Sequence, residues 1–359
     1  MSNNCFCLHN CLQMYAKTYY FASMKRIVLL IAVILTIILS FYLYQSSSHT
    51  LERIDLDVNR FDKELFSINA DNIDDKSREW EQNYGSFVDV FTRNIIQISS
   101  ATNDQDGYHR SLLAFIQNKD MREAYDSAAV LFSDISDIIY TLEYAFGQFN
   151  IDFPSYPIPR ITTFFGGFNY GVVTYDYNIG IGLENFLGKD SKFYKYLGEP
   201  KYLRFHKQKK FIASNVLEAW FNELFQKNLV SRDMLSQLIY KGKMMYFLDR
   251  MLPELNIEDK FRFTVKQMNW VQKNESSIWE FFVQEDLLFS KKEKDFRSYI
   301  NYAPFAKGMP TDAPDRVAFF IGYKIVCDYI KNNKISIDEL MLLTDSRKFL
   351  KKSKYKPTK

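Results

Sequence analysis

The sequence predicts an α+β protein that is predominantly helical, its helices arranged around a small antiparallel sheet at about residues 160–186. Three observations carry that prediction. Apolar residues recur at three- and four-residue spacing before residue 152 and after residue 211, the stretch between is glycine-rich and β-branched, and capping signals open several later helices. With 47% hydrophobic residues the chain of 359 can bury a sizeable core, and 17% aromatics against 13 Gly and 9 Pro exclude collagen-like and low-complexity classes.

Ile27 to Tyr44 reads IVLLIAVILTIILSFYLY, a chargeless run between Lys25-Arg26 and the polar Gln45. As a helix rising about 1.5 Å per residue it matches the thickness of a hydrocarbon core. It ends in Phe41-Tyr42-Leu43-Tyr44 rather than in the small residues of a cleavage site, so residues 24–45 are expected to form an uncleaved signal anchor, a transmembrane helix. The basic residues before it place its N-terminus in the cytoplasm and everything from Gln45 onward across the membrane. Met24 opens the signal-like MKRIVLLIAV, so residues 1–23 are read as an untranslated extension, with a genuine cytoplasmic segment as the alternative. Residues 46–53 are a tether, and 54–357 a single periplasmic domain.

Trp80, Tyr84, Phe87, Val88 and Phe91 begin the helical spacing, continued by Leu112, Phe115 and Ile116 and by Leu131, Ile135, Ile138 and Ile139. Pro154, Pro157 and Pro159 end that region. Residues 160–165, 170–175 and 178–183 are β-branched and aromatic runs punctuated by Gly166-Gly167 and Asp176–Asn178, which reads as strands. Helices resume over 214–226 and 231–251. A capping box at Thr264–Gln267 opens a helix running to Val283, Asp312–Asp315 opens another through Phe319 and Tyr329, and Ser336–Glu339 opens the last.

The first 49 residues carry Lys17, Lys25 and Arg26 and no acid, which leaves the body with equal numbers of bases and acids; nucleic acid is therefore not an expected partner. Cys5, Cys7 and Cys11 crowd the N-terminus and Cys327 stands alone, which excludes a disulfide framework and a Cys-based zinc site. Only His109 and His206 lie within the body, and no His-Glu-x-x-His, Gly-x-Ser-x-Gly or phosphate-binding glycine loop occurs. The expectation is no catalytic residue, no metal and no cofactor. Glu184, His206, Glu218, Trp220, Tyr246 and Asp249 are the cleft candidates should one exist; Asp249 and Arg250 read more simply as a satisfied pair. Phe164, Tyr170 and Tyr175, if exposed on the sheet, are the candidate surface for a protein partner. The basic runs Arg204–Lys210 and Lys351–Lys356 read as a solvated loop and a frayed tail, with lipid headgroups or an acidic partner as the alternative.

The order of segments resembles the gliding-motility lipoprotein B family (GldB) of the Bacteroidota. The resemblance rests on Ile54-Asp-Leu-Asp-Val-Asn-Arg-Phe-Asp62, Thr162-Thr-Phe-Phe-Gly-Gly-Phe-Asn169, Gly182-Leu-Glu-Asn-Phe-Leu-Gly188, Tyr240–Asp249, Trp279-Glu-Phe-Phe-Val283, Ala303-Pro-Phe305, Gly322–Val326 and Lys352–Pro357. It implies an envelope protein that supports gliding motility, with envelope proteins as partners and no established reaction. Family members carry a lipidated cysteine after the signal core, whereas here no cysteine lies between Cys11 and Cys327. No lipidation is expected, and the apolar span would anchor the chain in the inner membrane with its body in the periplasm; an outer-membrane or cleaved periplasmic form is the alternative. The family is also distantly similar to predicted zinc-dependent peptidases, which implies a degenerate zincin-like scaffold. In that register Glu218 matches the catalytic glutamate, while Leu217 and Phe221 stand where zinc-binding histidines belong, so the chain reads as a pseudoenzyme. The competing expectation is an envelope hydrolase with an unrecognised site.

Overall fold

The computed structural model describes Leu35, Thr36, residues 53–98 and residues 104–358. The expected extension, most of the anchor Ile27–Tyr44 and most of the tether lie outside these residues. Among the described residues no helix is long and apolar enough to cross a membrane. Two units divide the chain, Met1–Leu51 and Glu52–Lys359. In the first, only Leu35 and Thr36 are described, both helical.

In the second unit four strands, β1 (Val58–Arg60), β2 (Ile161–Phe164), β3 (Val172–Tyr175) and β4 (Asn178–Gly182), form one sheet in the order β1-β2-β4-β3. The sheet is mixed rather than antiparallel. Strands β3 and β4 are an antiparallel hairpin, and its two linking residues Asp176 and Tyr177 have φ of 43° and 58°, the left-handed pair that a two-residue turn demands. Strand β4 then enters between β3 and β2, parallel to β2, and β1 adds parallel on the other side with Val58 opposite Ile161. Three residues, Val-Asn-Arg, are too short to show a two-residue alternation, so β1 is visible only once β2 is beside it.

Helices α1 (Ile73–Tyr84), α2 (Gln105–Gln117), α3 (Lys119–Leu131) and α4 (Ser136–Asp152) precede β2. After the sheet come α5 (Ile212–Phe225), α6 (Met234–Met251), α7 (Val265–Lys273), α8 (Glu275–Gln284), α9 (Glu293–Ile300), α10 (Val317–Asn332), α11 (Ile337–Leu342) and α12 (Ser346–Ser353). The architecture is therefore predominantly helical α+β. The helix expected from Thr264 to Val283 is two helices, interrupted at Asn274, whose side chain donates to the Trp270 carbonyl at 2.8 Å. Both capping boxes form, at Thr264–Gln267 and Ser336–Glu339.

Helix α5 lies against β3 and β4 and presents Leu217, Trp220 and Phe221 to the core, where the Trp220 ring meets Phe146 and Phe149 at about 6 Å. Helices α6 and α10 cross backbone to backbone. A Cβ on Gly242 would come within 2.2 Å of the Gly322 carbonyl, and one on Gly322 within 2.1 Å of the Leu238 oxygen. The basic C-terminal segment is not a frayed tail. Residues up to Ser353 are helical, Tyr355 donates to buried Glu275 at 3.0 Å, and the carbonyls of Lys352 and Ser353 accept from Asn333 and Asn332.

Candidate functional site

Glu218 lies on α5 between core residues Leu217 and Phe221, at the edge where the helix leaves the apolar interior, with a fifth of its side chain exposed. Its carboxylate accepts from the Arg262 guanidinium and faces Lys241 of α6 at 3.5 Å. Burial by itself would raise this carboxyl; Arg262 and Lys241 outweigh it and hold the group well below the usual carboxylate range. Arg262 is 1% exposed. It ends the short helix Ile257–Phe261 with φ of 53°, and its second nitrogen reaches Asn215 at 3.3 Å.

Arg316, 2% exposed, stands immediately before α10 with φ of 51°. Its guanidinium bonds the Arg262 carbonyl and the Asp315 carboxylate, each at 3.3 Å, and stacks 4.3 Å from the Tyr302 ring. Asp315 in turn accepts from the Ala303 amide at 3.0 Å, fixing the loop that carries Tyr302. The other face of Tyr302's surroundings is His206, with ring centroids 4.3 Å apart. Burial, then the positive charges of Arg316 and Arg262, push the His206 imidazole down to about 2. Among the described residues, His206 Nδ1, Arg262 Nε and Arg316 Nη1 are buried without a hydrogen-bond partner.

The structure brings together two of the six cleft candidates, His206 and Glu218, and disperses the rest. Glu184 is fully buried on the turn after β4, where one oxygen accepts from the amides of Gly166 (2.7 Å) and Phe168 (3.0 Å) and so braces a left-handed turn. Trp220 is core. Asp249 pairs with Lys260 and accepts from Tyr323, while Arg250 forms a bidentate pair with Asp152, so the two do not pair with each other. Tyr246 packs half-buried against the core. His109 lies elsewhere, 3.1 Å from Asp74.

Two of the three partner-surface candidates are not surface. Phe164 is 0% exposed beneath the sheet and Tyr175 is buried with its hydroxyl 2.9 Å from Thr162, because both faces of this sheet are covered; Tyr170 alone is exposed, at 43%. The lysines of the 204–210 run are not freely solvated: Lys207, Lys209 and Lys210 pair with Glu199, Asp137 and Asp259. Among the described residues no three His, Cys, Asp or Glu side chains are grouped to hold a metal ion.

Sequence reasoning missed Arg262, Arg316, Lys241 and Tyr302. One signal was available: an arginine at the start of an apolar helix opposes the helix dipole, which favours acids there. A family model described as gliding motility protein GldB matches residues 44–357 of the chain. No curated protein and no solved structure matches.

Proposed function

The chain belongs to the family of the gliding motility protein GldB, and from that membership we propose that it is a membrane-anchored, periplasm-facing, non-enzymatic subunit of the gliding or associated envelope machinery. Its gliding role follows from the family. The non-enzymatic reading is carried by the charge states at the one cluster where two candidate residues meet. Glu218 is held ionised by two cations, and His206 is held neutral by burial and two arginines, so neither exchanges a proton near neutral pH as general acid–base catalysis requires. Anchoring rests on the chargeless run Ile27–Tyr44 and the basic pair before it. Envelope proteins are the partners proposed, with Tyr170 at the exposed rim of the sheet as one contact.

The test is to express the full chain in a gliding host, fractionate the envelope, and assay the purified protein on peptide and peptidoglycan substrates. The expected result is retention in the membrane pellet after carbonate wash, cleavage of the body by protease added to spheroplasts, and no turnover. Turnover that follows the protein through purification would put the hydrolase reading in its place. Protection of the body in spheroplasts would remove the periplasmic orientation.

A further inference from the structure

The end of α10 carries more positive charge and more unused donors than its own partners satisfy. We propose that Arg262, Arg316 and the first turn of α10, with Lys241 at the rim, bind a singly charged oxyanion, a carboxylate or a phosphodiester.

Helix α10 runs sixteen residues, so its amino-terminal end holds a developed positive field. The residue at its N-cap is Arg316, whose guanidinium has no acceptor atom and caps nothing. An oxygen anion there would complement the dipole. The second, independent observation is the set of orphaned nitrogens. Arg262 and Arg316 are 1% and 2% exposed, yet Arg262 Nε and Arg316 Nη1 have no hydrogen-bond partner among the described residues. Buried guanidinium donors are almost always paired, and two unpaired ones on adjoining arginines point to an acceptor supplied from outside.

Charge sets the valence of that acceptor. Arg262, Arg316 and Lys241 face Glu218 and Asp315, and His206 is neutral, which leaves one positive charge uncompensated. One carboxylate or one phosphodiester neutralises it; a phosphate dianion would overshoot. Tyr302, 38% exposed, and the partly exposed side chains of Lys241 and Glu218 bring the cluster to the surface, so a group on a larger molecule could reach it. Binding an anion at this cluster requires neither catalysis nor anchoring.

The experiment is thermal denaturation of the detergent-solubilised full chain with acetate or dimethyl phosphate, each against chloride at equal ionic strength. Arginine Nε–H resonances are followed in parallel by NMR. The expected result is a saturable rise in Tm with at least one oxyanion and a saturable shift of the Arg262 Nε–H signal with the same midpoint. Lys241→Met, which retains the buried arginines, should weaken that midpoint roughly tenfold, the loss of one charge-assisted contact. A response to acetate alone would assign a carboxylate ligand, and to dimethyl phosphate alone a phosphodiester such as a lipid headgroup carries. Responses no larger than that of chloride, with no shift of the Arg262 signal, would overturn the proposal. Tighter binding of inorganic phosphate at pH 8 than of either monoanion would overturn the assigned valence.

Discussion

The buried Glu184 carboxyl and the buried His206 imidazole shift the pH dependence of stability in opposite directions. Burial pushes the Glu184 carboxyl up to about 7 despite two amide bonds, and burial beside two arginines pushes His206 down to about 2. Between their unfolded values of 4.5 and 6.5, the unfolded chain carries an ionised Glu and a charged His, whereas the folded chain carries neither. Folding there takes up a proton at Glu184 and releases one at His206, so the two slopes cancel. Glu184→Gln keeps an acceptor for the Gly166 and Phe168 amides and removes only the proton uptake at Glu184. Relative to the native protein it should lose stability by about 1.4 kcal/mol per pH unit as pH falls from 7 to 4.5, read by urea denaturation across that range. Parallel curves for the two proteins would refute the burial argument. Lys243 of α6 presents a second case. It is 4% exposed, its ammonium donates to the Leu343 carbonyl, and burial pushes it down to about 7. Because Lys243 binds fewer protons in the folded chain than in the unfolded one between pH 7 and 10.5, its contribution to stability rises with pH through that window, unopposed up to pH 9, above which the Cys327 thiol, pushed up to about 11 by burial, works against it. Lys243→Met should stabilise the protein at pH 7 by about 2 kcal/mol and flatten the rise; a destabilised, unchanged slope would count against it. At this scale the sequence exposed His206, because histidines are few, and Glu218, because the resemblance to zinc-dependent peptidases places it at the catalytic glutamate. The arginines that set their charge states come from segments with no local mark of burial.

Among the elements, the α6–α10 crossing depends on two glycines that no periodicity singles out. Replacing glycine in an exposed helix interior with alanine normally stabilises by about 1 kcal/mol. At Gly242 the added methyl would meet the Gly322 backbone, which cannot rotate away, so Gly242→Ala should destabilise by about 3 kcal/mol instead. The sign of the change in Tm decides the matter. The hairpin of β3 and β4, the capping boxes and most helices were legible, because each is encoded within a dozen neighbouring residues. Strand β1 and the parallel β2–β4 pairing were not, since the partners lie far apart in the chain and parallel pairing has no turn to announce it. The C-terminal lysines read as a tail because the residues that hold them, Glu275, Asn332 and Asn333, are remote.

For the whole molecule, the family match over residues 44–357 spans the second unit, Glu52–Lys359, almost from end to end. The anchoring proposal is a property of the intact chain and is tested on it. Deleting residues 24–45 should move the protein from the carbonate-resistant pellet to the soluble fraction; retention in the pellet would show that another part of the chain holds the membrane.

By itself the sequence determined the α+β class, the positions of most helices and of the hairpin, and the family to which the chain belongs. Each is written in spacing, turn residues or segment order, which survive in one dimension. Only the tertiary structure decided that the sheet is mixed and that Phe164 and Tyr175 are core rather than surface. It also decided that His206 and Glu218 sit under two buried arginines at the end of α10. Burial and electrostatic pairing join residues distant in sequence, and those relations exist only once the chain has closed on itself.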